Sequence, residues 1–428
     1  MEALTWTGTL GPILNPLYLF AWIAFAVAVA AQIVLGLFET APELQGDVLA
    51  AKRTPFDWAT YAVKIAFFAI IALTLAYVIG GILLPSVQAK GIIGTIMTRL
   101  LPVWISLAVV FALSIAFKRR LGLYGKLFDS MIGMIGFAIV MFWVFTGIYG
   151  AMDLIVTHDP LAQLSGMKNK VPGTPTPEDA GSYPYYLLGG DNLARDVFTR
   201  VIKGAWEVIK IAPFATLFAF MVGITLGLPA AYYGGKLDTF LTFVANLILA
   251  FPVILLFYLL VTPEIVATGI PVYMAAVLFL FPIIFLVILI QSRFFVEPTK
   301  RNIYLAVTLI VGLWLYFGIA WNLDPLGIID FPPNLLVVFV SVVFVNAPTV
   351  FRIVRGIALD IKTRDYVAAG QTRGEGPWYI MLWEILPNAR GPLIVDFCLR
   401  IGYTTILLGT LGFFGLGLSP ESPDWGST

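Results

Sequence analysis

The stretch Arg355-Gly-Ile-Ala-Leu-Asp-Ile-Lys-Thr-Arg-Asp-Tyr-Val-Ala-Ala-Gly370, continuing Gln371-Thr-Arg-Gly-Glu-Gly-Pro-Trp378, lies between two long apolar runs, 334–351 and 389–412. Gly374-Glu375-Gly376-Pro377 is strong helix punctuation. The segment 352–388 is therefore expected to form two short helices broken at 374–377. Ala368, Ala369, Gly370 and Gly374 are small enough to let another molecule approach the backbone closely, so the segment reads as a docking knob.

The flanking runs decide the rest of the architecture. Of the 428 residues, 60% are hydrophobic and only 12% charged, and the mean hydropathy is +0.92. Soluble domains carry about twice that share of charge. Apolar runs of roughly 20 residues recur along the chain, and lipid offers backbone groups no partner, so each run must be helical. The fold class is an all-α polytopic membrane protein. Ten spans are read at 12–38, 57–84, 98–117, 131–155, 207–232, 239–262, 271–291, 302–321, 334–351 and 389–412. The first is too long for a cleavable signal peptide and lacks a basic flank.

Orientation follows from Lys and Arg, which favour cytoplasmic loops. Lys52 and Arg53, then Lys118, Arg119, Arg120 and Lys126, then Lys236, then Arg293, Lys300 and Arg301, then the segment 352–388 all alternate correctly. With these inside, both ends of the chain lie outside. The segment 156–206 also lies outside, although it carries Lys168, Lys170, Arg195, Arg200 and Lys203; long loops determine topology poorly. Residues 171–184 read as an irregular surface loop. Leu193, Val197, Phe198, Val201 and Ile202 have helical spacing, which predicts an amphipathic surface helix over 191–207.

Five landmarks in order carry a resemblance. They are Gly190-Asp191-Asn192-Leu193-Ala194-Arg195-Asp196-Val197-Phe198-Thr199-Arg200; Ala231-Tyr232-Tyr233-Gly234-Gly235-Lys236-Leu237-Asp238; Leu249-Ala250-Phe251-Pro252; Ala368 through Gly374 with Ile385-Leu386-Pro387-Asn388; and Gly412-Phe413-Phe414-Gly415-Leu416-Gly417 with Pro423-Asp424-Trp425-Gly426. His158-Asp159-Pro160 adds a sixth, smaller match. Over 128–262 and 334–428 the chain resembles the second permease subunit of the dipeptide, oligopeptide and nickel class of ATP-binding-cassette (ABC) importers.

The resemblance implies a type I ABC importer permease fold. It divides the chain into an N-terminal transmembrane extension of about three helices (1–127), a permease core (128–262, with its periplasmic segment 156–206), an inserted transmembrane hairpin (263–333), and the rest of the core (334–428, with the coupling segment 352–388). The hairpin 271–291 and 302–321 is expected at the periphery, because the family core closes without it. The implied function is the permease half of an ATP-driven, binding-protein-dependent importer of di- or oligopeptides in the inner membrane. The implied partners are a sister permease, two ATP-binding subunits and an outer solute-binding protein. ATP and Mg²⁺ belong to those ATPases, since the chain has no Gly-x-x-x-x-Gly-Lys-Ser/Thr loop. Ala368, Ala369, Gly370, Arg373, Gly374, Leu386 and Pro387 would couple to an ATPase, and Asp191, Arg195, Asp196 and Arg200 mark the periplasmic segment.

The chain departs from the pattern in two places. Ala368 stands where the family signature has an acid, and Glu375 is too far along to replace it. The family also continues past Pro423-Asp424-Trp425-Gly426 with one more helix. The natural protein is therefore expected to extend beyond Thr428, with the groove beside 408–417 empty or filled by another chain.

The remaining residues are read individually. Asp396 and Arg400, spaced i,i+4 with the acid first, form an internal pair and are candidates to line a translocation path. Gly223 and Gly227, then Gly402, Gly409 and Gly412, offer faces for close helix packing. Lys64 snorkels to the interface, and Trp314 and Trp321 anchor helix ends. His158 reads as a lone loop residue and Cys398 as a small apolar packer. One Cys and one His leave no zinc site or disulfide within the chain. No catalytic residue and no nucleic-acid contact is expected. The alternative is an ion-gradient-driven secondary transporter, which would need ionisable groups at the midplane of corresponding halves. A membrane enzyme is weaker still, for want of His or clustered acids in the spans.

Overall fold

Two apolar runs that read as single spans are broken in the computed structural model, which describes residues 2–38, 54–177, 183–329, 331–416 and 422–428. Among these residues, eight helices are long and apolar enough to cross a membrane, or up to ten if each of two bent pairs is one span. The chain forms two compact units, Met1–Lys203 and Gly204–Thr428. Lys52, Arg53 and Gly417 lie outside the described residues.

The first unit holds α1 (Gly11–Leu37), α2 (Pro55–Leu83), α3 (Val87–Arg99), α4 (Leu101–Ala116), the short α5 (Gly122–Lys126) and α6 (Met131–Ala151). Helix α2 opens with a capping box, Thr54 and Asp57 satisfying each other's backbone N–H groups, and Pro55 occupies its first turn. The third span is a pair, α3 and α4 meeting at 48°, so it begins well before residue 98. Within α3, Gly91 takes φ +66°, and the chain start lies against it. The Ile92 and Ile93 amides donate to the Thr5 and Trp6 carbonyls at 3.0 and 3.1 Å. A Cβ at Gly91 would run into that backbone strap, so glycine is required there. The Leu4 amide in turn donates to the Gly173 carbonyl at 2.9 Å. The start of the chain and the segment 156–206 are thus neighbours, as the charge alternation requires.

After α6 a two-residue antiparallel pairing joins β1 (Thr174–Pro175) to β2 (Tyr185–Tyr186), so the described part of 171–184 is more ordered than a loop reading allows. The separate amphipathic helix over 191–207 is corrected. Residues 191–196 form a tight turn, and α7 (Val197–Tyr233) runs unbroken for 37 residues. Apolar spacing in its first two turns reflects burial of Phe198 and Ile202, with Leu4, Ile92, Ile155 and Leu187, in the core of the first unit.

The second unit continues α7 and adds α8 (Gly235–Leu249), α9 (Val253–Val261), α10 (Pro263–Ala267), α11 (Ile270–Leu278), α12 (Leu280–Arg293), α13 (Pro298–Trp321) and α14 (Pro333–Ile361). Helices α8 and α9 meet at 81°. Pro252 supplies no N–H and forces extended backbone at the junction, so 239–262 is not a straight span. Helix α14 is the axis of the unit, with Val338, Val340, Val342 and Val343 wholly buried. Gly223 and Gly227 of α7 do pack closely, a Cβ at either meeting Val350 or Val354 and the backbone of Phe351. The peripheral hairpin is also corrected: Ala275 and Phe279 lie in the core, Phe279 edge-on to Phe218 and Phe339 at 5.3 and 5.6 Å.

The chain ends with α15 (Asp365–Thr372), α16 (Pro377–Tyr379), a π-helical stretch Ile380–Ile385 and α17 (Leu386–Phe413). The groove expected beside 408–417 is occupied by the chain's own residues 422–428. Cβ atoms at Gly412 and Gly426 would meet Asp424 and the Gly409 carbonyl, and one at Gly204 would meet Trp425. Asp424 fixes this turn by accepting from the Gly426 and Ser427 amides at 2.8 and 2.9 Å. Nothing lies within 4 Å of a Cβ built at Gly402 or Gly409, so the second glycine face is confined to Gly412. Cys398 is exposed rather than packed.

Candidate functional site

The segment 352–388 is held by four polar ties. Helix α14 overruns its apolar part by three turns, and Arg355 there grips Asp238 at the start of α8 with two nitrogens, Nη2–Oδ2 being 2.6 Å. Two turns further, Lys362 Nζ donates to the Ala231 carbonyl at 2.7 Å. That carbonyl is in the last turn of α7, where helical partners run out, so a lysine there both bonds and faces the negative helix end. Gln371 reaches Tyr232 Oη at 3.3 Å, binding α15 to the same corner. Across the break, Arg373 Nη2 donates to Glu384 Oε1 at 2.7 Å.

The break itself is a backbone device. The Gly374 amide donates to the Gln371 carbonyl and the Glu375 amide to the Gly370 carbonyl, at 3.0 and 3.3 Å. With Gly374 at φ +81° this is a Schellman ending of α15. Nothing lies within 4 Å of a Cβ built at Gly374. Its glycine is required here by the left-handed backbone, a reason the small-residue reading did not identify. Pro377 then occupies the first turn of α16, a position where no N–H is needed. Pro387 has no N–H to give the helix, and the next residue, Asn388, donates its Nδ2 to the Glu384 carbonyl at 2.7 Å.

Ala368 and Ala369 are exposed, whereas Gly370 is buried beside Glu384. Val367 beneath them is wholly buried with Ile380, Met381 and Ile385, which fastens α15 to the root of α17. Leu386 packs on the same cluster and Pro387 is exposed. The seven residues named from sequence therefore fall on two elements, five on α15 and its ending and two at the root of α17. Asp238, Arg355, Lys362 and Glu384 were missed. Glu384 supplies an acid to this segment from 16 residues beyond Ala368, a distance no linear motif spans.

The outer residues form a second cluster, and His158 is at its centre rather than alone. Its ring nitrogens face two acceptors, Asp196 Oδ2 at 3.2 Å from Nδ1 and the Tyr183 carbonyl at 2.9 Å from Nε2. Asp196, wholly buried, also accepts from Thr157 and Thr199 hydroxyls at 2.6 and 2.7 Å. Asp191 accepts from Arg195 Nε and the Arg195 amide at 2.7 and 2.8 Å, and Arg200 Nε lies 3.9 Å from it. Burial pushes the Tyr186 hydroxyl well above its ordinary pKa, with the charges of Asp196 and Asp191 adding to the rise. Burial likewise raises Tyr183, opposed by Arg99, whose guanidinium stands 4.6 Å over its ring. All four sequence-named residues are thus structural groups of one buried network.

Within the membrane the expected pair forms: Arg400 Nε donates to Asp396 Oδ2 at 2.7 Å. Arg400 Nη1 also reaches Asn346 Oδ1 at 3.3 Å, and Asn346 Nδ2 reaches Thr404 Oγ1 at 3.4 Å. A polar rung therefore joins α14 to α17. Asn346 was missed because an amide inside an apolar run carries no periodic signal. Trp314, two turns inside the end of α13, donates Nε1 to Asp324 Oδ1 at 2.8 Å.

Known proteins align with these elements. The chain is 27% identical over 247 residues to the dipeptide transport system permease protein DppC of Haemophilus influenzae, covering 58% of this chain and 61% of that one. It is 27% identical over 242 residues to the glutathione transport system permease protein GsiD of Pectobacterium atrosepticum, covering 56% and 58%. To the probable D,D-dipeptide transport system permease protein DdpC of Escherichia coli it is 24% identical over 242 residues, covering 56% and 59%. The chain thus spans about three fifths of the length of these relatives. Residues 223–428 match the model of the family described as binding-protein-dependent transport system inner membrane component. The chain is a multi-pass inner-membrane protein whose residues 223–428, just under half of it, are similar to binding-protein-dependent transport permeases.

Proposed function

We propose that the chain is the permease subunit of an ATP-driven importer of small peptides, working with a sister permease, two cytoplasmic ATP-binding subunits and an outer solute-binding protein. ATP and Mg²⁺ would be held by the ATPases. The observation that carries the reading is α15. It is short, its outer face is open, and it is tied by Gln371 to the α7–α8 corner and by Arg373 to the root of α17. A push on Ala368 and Ala369 would be delivered to two membrane helices at once. The peptide cargo is supported by what the relatives' names say those proteins carry.

The same reading makes 1–127 an extension and 263–333 an insertion within a core of 128–262 and 334–428. It places Asp396 and Arg400 beside the translocation path. An ion-gradient carrier is disfavoured, because Asp396 is already ion-paired with Arg400. The test is reconstitution with the four partner subunits in proteoliposomes. ATP-dependent peptide accumulation, stimulated by loaded binding protein, is expected. Accumulation driven by an ion gradient without ATP would overturn the proposal.

A further inference from the structure

The end of helix α12 meets the coupling segment, with Ile288 and Leu289 sharing one apolar cluster with Trp378 and Trp383. Trp383, in the π-helical stretch Ile380–Ile385, donates its indole N–H to Ser292 Oγ at 3.1 Å. The Arg293 guanidinium stands 4.9 Å over the same indole. Ser292 can accept because its own hydroxyl proton is committed to the Leu289 carbonyl at 3.0 Å. A cleft of about 470 Å³ opens between Gln291 and Phe295 on one side and 374–379 on the other.

Three features suit this clasp to transmitting motion. π-Helical turns inside α-helices concentrate at functional positions, because one residue too many can shift along the helix at little cost. Trp383 is in that turn, one residue before Glu384, the anchor of Arg373. Arg293 is exposed, so its cation serves the indole rather than a buried charge partner. Finally, α12 is braced along α13, where a Cβ at Gly312 would meet Ile283 at 3.2 Å.

We infer that Ser292, Arg293 and Trp383 are positioning residues through which the α12–α13 hairpin moves with the coupling segment, as a second lever beside α17. This rests on the importer reading. The test uses the assembled complex with Cys398→Ser and spin labels in two pairs, at 300 with 236 and at 369 with 236, measured with and without vanadate-trapped MgATP. In the otherwise native complex both distances shift. In Trp383→Phe with Arg293→Gln the 369 shift stays and the 300 shift is lost, and Arg293→Lys retains both. Peptide transported per ATP hydrolysed falls about fivefold in the double variant, the worth of roughly one hydrogen bond. A 300 label that stays still while 369 moves, or that moves equally in the double variant, overturns the second lever and leaves the importer intact. If neither label responds to nucleotide, both readings fall.

Discussion

Arg373 and Glu384 face each other across the Schellman turn, Nη2–Oε1 2.7 Å, and bridge the gap between α15 and the helix that becomes α17. Both side chains are part-exposed, so the pair adds no more than about 1 kcal/mol to stability. Its effect should appear in coupling instead. Glu384→Gln is expected to leave insertion and assembly intact while transport per ATP falls several-fold. The exchange Arg373→Glu with Glu384→Arg should restore part of it. Equal ratios in Glu384→Gln and native complexes would show that the gap needs no clasp.

Gly374 supplies the second prediction. Its φ of +81° is left-handed, and any L-residue there costs about 1–2 kcal/mol, with Asn the mildest. Gly374→Ala should therefore loosen α15 and uncouple the complex, with Gly374→Asn between it and native. Open space around the position means Gly374→Trp should be no worse than Ala within this chain. A tryptophan variant that alone dissociates the ATPases would place a partner surface against Gly374. Hydrogen exchange across 365–379 reports the loosening, and unchanged protection in Gly374→Ala would contradict it.

Much of this was legible from residue order and some of it was not. Long apolar runs fixed the helices, and Gly374 to Pro377 marked the break. Charge alternation put Arg293 on the side of 352–388 and the start of the chain on the side of 156–206, and the Arg293–Trp383 and Leu4–Gly173 contacts agree. Two kinds of feature were hidden. The bend at Pro252 lies inside a run that stays apolar on both sides, so hydropathy passes straight through it. Partners distant in sequence, such as Arg355 with Asp238 or His158 with Asp196, have no local signal. Glu384 falls in the second category, and its absence from the motif made the signature look acid-free.

Asp324 gives a pH-dependent loop. The Ile329 amide at 2.7 Å is the largest cause holding its carboxyl down to about 2, aided by the Trp314 indole and the Leu326 and Ile328 amides, with burial opposing. Because the folded value lies below the ordinary 3.8, the carboxylate's stabilisation is complete above about pH 4 and is lost as pH falls through about 2. Amide protection at Ile328 and Ile329 should decline across that window, and Asp324→Asn should be flat. A native loop with constant protection from pH 5 to 2 would refute the assignment.

The intramembrane pair tests whether Arg400 serves the fold or the cargo. Arg400→Ala strands Asp396 and removes the donor to Asn346 Oδ1, and losing one partner of a buried pair costs about 3–5 kcal/mol. The single variant should fail to assemble. The double variant Asp396→Leu with Arg400→Met removes both charges and should assemble, since matched apolar replacement of a buried pair is often neutral or better. Transport by that double variant then separates the two roles. Peptide uptake at the native rate would make the pair purely structural. Normal assembly and ATP hydrolysis with uptake lost would place the polar rung of Asn346, Asp396 and Arg400 on the cargo's route. An Arg400→Ala protein as stable in detergent as native would sink the premise that the two charges depend on each other.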